Sequence, residues 1–210
     1  MKLVLLGVSG AGKGTQSKNI IKRYKLGHIS TGDILRKHIK EQTEVGLSIK
    51  DGMDAGRLVD DALILDIVKK TVKLPELERG YILDGFPRTL VQAVEFDDFV
   101  RIDLAIYVAV DDKIVIERLS GRWVCDNCGQ MYHIKSFPPK EKGLCDSCNS
   151  ALIQREDDKA ETVKDRLKIF HQLTDPVIAY YKSLGVLFTV QGAGDADGIT
   201  KEIIKKLDTL

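Results

Sequence analysis

The sequence predicts an α/β fold, a doubly wound parallel five-stranded sheet flanked by helices. Three observations predict it. Short apolar runs rich in Val and Ile alternate with amphipathic stretches. The runs are continuous rather than alternating, as in strands buried on both faces. The first run passes straight into a glycine-rich loop and a helix start, the unit with which α/β proteins bind phosphate. The strands are Leu3–Leu6, Tyr81–Leu83, Leu104–Val110, Val186–Val190 and a shorter Gly27–Ser30. A helix is expected from Thr15 to about Lys25, and another over Ala62–Val72, with Leu63, Ile64, Ile67 and Val68 at helical spacing. Val163, Leu167, Phe170, Leu173, Val177 and Tyr181 form one long stripe, with a kink expected at Pro176. Ile199, Ile203, Ile204 and Leu207 mark a closing helix. In such sheets ligands bind beyond the C-terminal strand ends.

At 210 residues the chain suits one domain with inserted lobes. A hydrophobic share of 43% supplies a sizeable core. The 32 basic and 31 acidic residues leave a net charge of +1, which speaks against a nucleic-acid or membrane binder. The apolar run before Gly7 is too short for a signal peptide, and no segment approaches membrane-spanning length, so a soluble cytoplasmic protein is expected. Residues 30–59 and 121–159 break the alternation. The first stretch is helical but weakly apolar; the second holds all four cysteines and the adjacent Pro138 and Pro139, with little helical period. Both read as lobes inserted into a core of residues 1–29, 60–120 and 160–210. Movable covers of this kind exclude water from a reaction between two ligands.

The chemistry begins at Gly7-Val8-Ser9-Gly10-Ala11-Gly12-Lys13-Gly14-Thr15. Glycines let the backbone turn its N–H groups inward around phosphate oxygens, and the helix N-terminus adds partial positive charge. Lys13 can then reach the outer phosphates. Most phosphate-binding loops place Ser or Thr directly after the Lys; here Gly14 intervenes before Thr15. Next comes Thr31-Gly32-Asp33-Ile34-Leu35-Arg36, with Thr31 a good N-cap for the following helix. Arg57-Leu58-Val59 supplies a second arginine, and Asp84-Gly85-Phe86-Pro87-Arg88 ends a strand, with Gln92 one helical turn beyond Arg88 and on its face. Arg118 and Arg122 are four apart and so expected on one helix face, and Arg155 and Arg166 follow the cysteine stretch. Cys125-x2-Cys128 and Cys145-x2-Cys148 place four thiolates for tetrahedral metal coordination, and disulfides are disfavoured in a reducing compartment. Four cysteines leave no need for His133 as a ligand. Zinc is expected; iron and cobalt suit the same cage. His28, His38 and His171 carry no spacing signal and are read as packing or solvated residues.

Together, Lys13-Gly14-Thr15, Thr31-Gly32-Asp33-x-x-Arg36 and Asp84-Gly85-Phe86-Pro87-Arg88-Thr89-x-x-Gln92 resemble the adenylate kinase family over nearly the whole chain. Tyr132-His133, Phe137-Pro138-Pro139 and the cysteines resemble the zinc-bearing, long lid of its bacterial members. The resemblance implies transfer of a phosphoryl group from MgATP to AMP, giving ADP. Gly10, Ala11, Gly12, Lys13, Gly14, Thr15, Arg118, Arg122, Met131 and Tyr132 would bind ATP, with a backbone adenine contact near Gly194. Thr31, Arg36, Arg57, Leu58, Val59, Gly85, Arg88, Gln92, Arg155 and Arg166 would bind AMP. Lys13, Arg88, Arg122, Arg155 and Arg166 would surround the transferred group, and Asp84 would hold Mg²⁺ through water. The resemblance further implies a cis Phe86-Pro87 bond, an AMP-binding lobe at 30–59, a lid at 121–159, structural Zn²⁺ in the lid, and a monomer. Asp157 and Asp158 match acids at the lobe boundary, with a role as hinge, closure contact or solvated charge. Another nucleoside monophosphate kinase, for UMP/CMP or GMP, and a nucleic-acid- or protein-binding module with a zinc ribbon are the alternatives.

Overall fold

The structure, a computed structural model, describes residues 1–210. In chain order, β1 (Lys2–Leu6) leads through the glycine loop into α1 (Lys13–Tyr24) and β2 (Gly27–Ser30). Then come α2 (Thr31–Lys40), α3 (Glu44–Asp54), α4 (Asp61–Thr71), β3 (Tyr81–Asp84), α5 (Leu90–Asp97), β4 (Leu104–Ala109) and α6 (Asp112–Ser120). The short strands β5 (Arg122–Cys125), β6 (Met131–His133) and β7 (Leu152–Ile153) precede α7 (Ala160–Leu173), α8 (Asp175–Ser183), β8 (Leu187–Gln191) and α9 (Ala196–Leu207).

Five strands form one parallel sheet in the order β2-β3-β1-β4-β8. The central β1 pairs Leu3 with both Ile82 and Leu104, so every expected strand is present, including the short Gly27–Ser30. Strand side chains alternate between faces. Leu3 and Leu5 accordingly enter one apolar cluster, with Ile20, Val115, Val163 and Ile203. Val4 and Leu6 enter the other, with Ile64, Phe86, Phe96 and Tyr181. Both faces are covered, which is why the strands read as unbroken apolar runs. The chain crosses from one side of β1 to the other between β3 and β4, and the loop after β1 lies at that crevice.

Two local readings are corrected. The stripe from Val163 to Tyr181 is two helices, not one kinked helix. Pro176 lacks the N–H that would continue α7, whereas the first turn of a new helix needs none there. Thr174, at the break, donates from Oγ1 to the Arg88 carbonyl (2.9 Å), tying the junction to the site. The cap of α2 is Ser30 rather than Thr31, its hydroxyl accepting from the Asp33 N–H at 3.3 Å. Thr31 is the first helical residue and donates instead to the Gly85 carbonyl, 2.9 Å away. His171 is also more than a packing residue. It bridges Asp175 (3.1 Å) and Asp112 (3.2 Å), joining α6, α7 and α8.

β5, β6 and β7 make a separate antiparallel sheet. Its core is only Cys125, Tyr132, Cys145 and Leu152, with Trp123 and Cys148 beside them. So small a cluster is too little to hold a fold by apolar burial alone.

Phe96 is fully buried and meets Phe86 edge-on at 5.2 Å, whereas Leu47 is 65% exposed. Urea denaturation should show Phe96→Ala losing about 3–5 kcal/mol of stability and Leu47→Ala losing under about 0.5 kcal/mol.

Candidate active site

The glycine loop is built for close approach. Gly7 has φ 139°, and a Cβ there would lie 2.8 Å from the Val108 carbonyl oxygen, so a side chain is barred. Gly12 caps α1, whose first turn holds neither an acid nor a capping side chain. That helix end is therefore open to an anion. The Lys13 ammonium folds back onto the Gly7 (2.8 Å) and Val8 (3.1 Å) carbonyls. Burial pushes its pKa down to about 8, against the pull of Asp84 and with Arg88, Arg166 and Arg122 adding to the drop. Met131 packs over the same loop, its Cε 3.5 Å from where a Cβ on Gly14 would sit. Arg118, from α6, donates to the Gly192 carbonyl (2.9 Å) and, at 3.4 Å, to Gly10 and Ala11.

Two clefts open at the strand ends. One, of about 520 Å³, is lined by Gly7, Val8, Ser9 and Lys13 from the loop. The other, of about 550 Å³, is lined by Thr31, Leu35, Arg36, Arg57, Leu58, Val59, Ile64 and Gln92. They share Gly56, Leu58, Gly85, Arg88 and Arg166, and so meet at two arginines. Gly85 has φ 82°, and a Cβ there would stand 3.0 Å from both Thr31 Oγ1 and an Arg88 nitrogen. The backbone must be bare at this junction.

The charges around the junction do not cancel. Arg122 is bound bidentately by Asp158, which is fully buried; its Nε–Oδ2 distance is 2.7 Å. Arg166 pairs with Asp157 (2.7 Å), lies 3.5 Å from Asp158, and donates to the Ser9 hydroxyl. Arg36 pairs with Asp33 at 2.8 Å. Arg88 has only the Gly85 carbonyl (2.7 Å), and Arg155 has no hydrogen-bond or ion-pair partner. Burial pushes both down to about 10, Arg88 further beside Arg166, and Arg155 further beside Arg36 and Arg122. For Asp84, burial acts upward, but the nearby His28 ring and the Lys13 and Arg88 charges outweigh it and hold the carboxyl below its ordinary range. Lys13, Arg36, Arg88, Arg122, Arg155 and Arg166 make six cations. Asp33, Asp84, Asp157 and Asp158 make four carboxylates, so two positive charges remain. A partly desolvated surplus of this kind favours a polyanion.

In the second sheet the four cysteine sulfurs lie within 4.8 Å of one another. Cys125 and Cys148 are 3.4 Å apart and Cys128 and Cys145 3.6 Å apart, too long for disulfides and near the roughly 3.8 Å edge of a tetrahedron with 2.3 Å metal–sulfur bonds. The Cys128 and Ser147 N–H groups point at Cys125 and Cys145 sulfurs (3.5 and 3.4 Å). Such N–H groups stabilise thiolates. The four cysteines thus fit a metal such as zinc.

Comparison with known proteins places the chain in a family. The family model described as adenylate kinase matches residues 5–186. A protein from Acetivibrio thermocellus named adenylate kinase is 49% identical over 99% of this chain and 98% of its own. Adenylate kinases from Lachnospira eligens (47%; 99% and 100% covered) and Archaeoglobus fulgidus (45%; 97% and 96%) are similarly close over their whole length.

The chain belongs to the adenylate kinase family.

Within that family frame, the structure corrects several details of the sequence reading. Arg88 lies outside helix α5, which Thr89 caps, yet its backbone N–H reaches Gln92 Oε1 at 2.7 Å, so the two remain adjacent. Arg118 and Arg122 do not share a helix face, because α6 ends at Ser120 and Arg122 opens β5. Tyr132 alternates with Met131 on β6 and turns away from the loop. It is 3% exposed, with its hydroxyl between the Asp146 N–H (2.7 Å) and the Cys145 sulfur (3.5 Å), so its side chain is part of the cysteine cluster. In the loop after β8, Arg118 touches Gly192, and open space surrounds Gly194. His28 Nε2 stands 3.8 Å from Asp84. The Phe86-Pro87 bond is cis, as the resemblance implied. Sequence reasoning left Asp158 unassigned, and missed Asp61 and Lys40. Asp61 accepts from Gln92 Nε2 at 2.6 Å, and Lys40 donates to the Asp126 carbonyl at 2.9 Å. Only the run Arg155-Glu156-Asp157-Asp158, arginine beside acids, hinted at the first of these.

The chain has one tryptophan, Trp123, and it packs beside the cysteine cluster. Chelation of the metal should therefore shift Trp123 emission and lower the first thermal transition. The far-ultraviolet dichroism of the main sheet and its helices should persist at that temperature. Coincident loss of both signals would contradict separate cores.

Proposed function

We propose that the protein transfers the terminal phosphoryl group of MgATP to AMP, reversibly, forming two ADP and so balancing adenine nucleotides. The observation that carries this reading is the meeting of two clefts at Arg88 and Arg166 beside Lys13. A single-nucleotide switch or a zinc-ribbon binding module needs no second cleft with its own arginines.

On this reading the loop Gly10–Thr15 holds the ATP phosphates, with Lys13 leaving the Gly7 and Val8 carbonyls for the outer ones. Arg118, Met131 and the backbone around Tyr132 and Gly194 flank the ATP base. Arg36 and Arg88 grip the AMP phosphate, while Thr31, Arg57, Leu58, Val59, Gly85 and Gln92 enclose the rest of the nucleotide. Bonds already made use one lone pair on Gln92 Oε1 and one hydrogen on Nε2, leaving an acceptor and a donor for an adenine edge. Arg122, Arg155 and Arg166 join Lys13 and Arg88 around the transferred group. No side chain acts as nucleophile; in-line alignment and charge neutralisation do the work. Asp84 would hold Mg²⁺ through water, and the ion would supply positive charge against the phosphates. Residues 30–59 and 121–159 serve as covers over the 1–29, 60–120 and 160–210 core, and Lys40 on Asp126 is their contact when both are closed. Zn²⁺ on Cys125, Cys128, Cys145 and Cys148 holds the lid in shape. No helix is long and apolar enough to cross a membrane; we place the protein in the cytoplasm as a monomer.

Lys13→Ala should keep the fold yet lower kcat by about 10²-fold or more, as loss of a transition-state donor does. A coupled assay with AMP, GMP, UMP and CMP should show AMP strongly preferred; preference for another monophosphate would overturn the assignment. A pH effect follows from Lys13. Free protein loses the ammonium proton as pH rises through about 8. ATP phosphates favour the charged form. ATP binding at pH 9 should therefore take up protons, and its affinity should fall from pH 7 to pH 9. Calorimetry in buffers of different ionisation enthalpy measures both, and Lys13→Arg should flatten the profile.

A further inference from the structure

An amide is by itself a poor judge of purines. Adenine presents a donor at N6 and an acceptor at N1; guanine presents the reverse, an acceptor at O6 and a donor at N1. A side-chain amide free to turn over pairs with either. Gln92 is not free to turn over. It is 2% exposed, and its Oε1 accepts from the Arg88 backbone N–H at 2.7 Å, a group that can only donate. Its Nε2 donates to Asp61 Oδ1 at 2.6 Å, and a carboxylate can only accept. The other Asp61 oxygen accepts from the Thr89 hydroxyl at 2.9 Å. The Thr89 oxygen in turn accepts from the Gln92 N–H at 3.2 Å, so the hydroxyl proton is committed to Asp61. Turning the amide over would set oxygen against carboxylate and N–H against N–H.

We propose that Asp61, at the first position of α4, is a specificity-determining positioning residue for the acceptor base. It acts through Gln92. By fixing which end of the amide is donor and which acceptor, it matches the order on adenine and mismatches that on guanine. The placement suits the task, because Asp61 comes from the helix after the AMP lobe and bonds Gln92, from the helix after β3, where Gln92 lines the acceptor cleft. The inference rests on the reading of Gln92 as the residue that faces adenine.

The test is steady-state kinetics with AMP and GMP as acceptors and ATP as donor, on the full chain. An asparagine side chain at position 61 carries no charge and can present either hydrogen-bonding end, so Asp61→Asn leaves the Arg88 N–H as the only group that fixes the amide and should weaken the lock. The expected result is an AMP KM raised about tenfold, the loss expected for one well-oriented, charge-assisted hydrogen bond. kcat should stay within about twofold, the ATP KM should not move, and the AMP-to-GMP ratio of kcat/KM should fall about tenfold. Asp61→Glu, which keeps the charge but displaces the carboxylate, is a second arm and should shift the same ratio in the same direction. In a Gln92→Ala background Asp61→Asn should add nothing further. An unchanged ratio in both Asp61 variants overturns the proposal, as does a full additional loss in the Gln92→Ala background, which would mean that Asp61 acts by another route. A Gln92→Ala variant with unaltered AMP KM would instead remove the reading of Gln92 itself, and a wild-type preference for GMP would remove the acceptor assignment. The failures are thus separable.

Discussion

The constraint on which the rest depends is the gathering of cations at the ends of the central strands. Lys13, Arg88 and Arg155 lie partly desolvated with no carboxylate directly bonded to them, and burial lowers the pKa of each. Such a group is unfavourable in an apoprotein. It persists because the sheet, the glycine loop and two flanking acids over-determine its place. Asp158 is the clearest instance, a fully buried carboxylate that holds Arg122 and stands 3.5 Å from Arg166. It orders the arginines without neutralising the site as a whole. The stored electrostatic cost is recovered when phosphates enter, which is how a preorganised site stabilises transferred charge.

The scaffold follows from that need. A parallel sheet buried on both faces tolerates its own strand ends being polar, because the two apolar clusters carry the stability elsewhere. β1 sits in the middle and delivers the loop to the crevice where the chain reverses side. The break between α7 and α8 lets Thr174 hold the Arg88 carbonyl, and Thr31 holds the carbonyl of Gly85. Arg88 is thereby fixed from its own backbone, from a strand-end loop and from a distant helix junction at once.

Much of this was legible in the sequence. The five apolar runs, the glycine loop and the paired cysteines each impose a strong local requirement, of two-sided burial, positive φ or four clustered thiolates, and the structure agrees with each. What was not legible concerns partners set by tertiary contact. Arg118 and Arg122 are four apart in sequence yet sit on different elements, because Gly121 ends the helix. Period alone did not show that Tyr132 faces the cysteines while Met131 faces the loop; that depends on which side of a small sheet meets the core. Asp61 and Gln92 are 31 residues apart with no motif joining them. Pro176 was visible as an interruption, but whether it bends one helix or separates two is decided by the Thr174 contact.

The three-stranded unit around the cysteines has a consequence of its own. Its interior is walled off from both large apolar clusters, and the chain enters and leaves it only near Gly121 and Lys159. A unit with a core of its own, touching the rest through Met131 over the loop, Lys40 on the Asp126 carbonyl and the Arg122–Asp158 pair, can open locally while the two large clusters stay packed. Changes confined to that appendage therefore act first on its own small core, while the strands and the loop they present keep their packing.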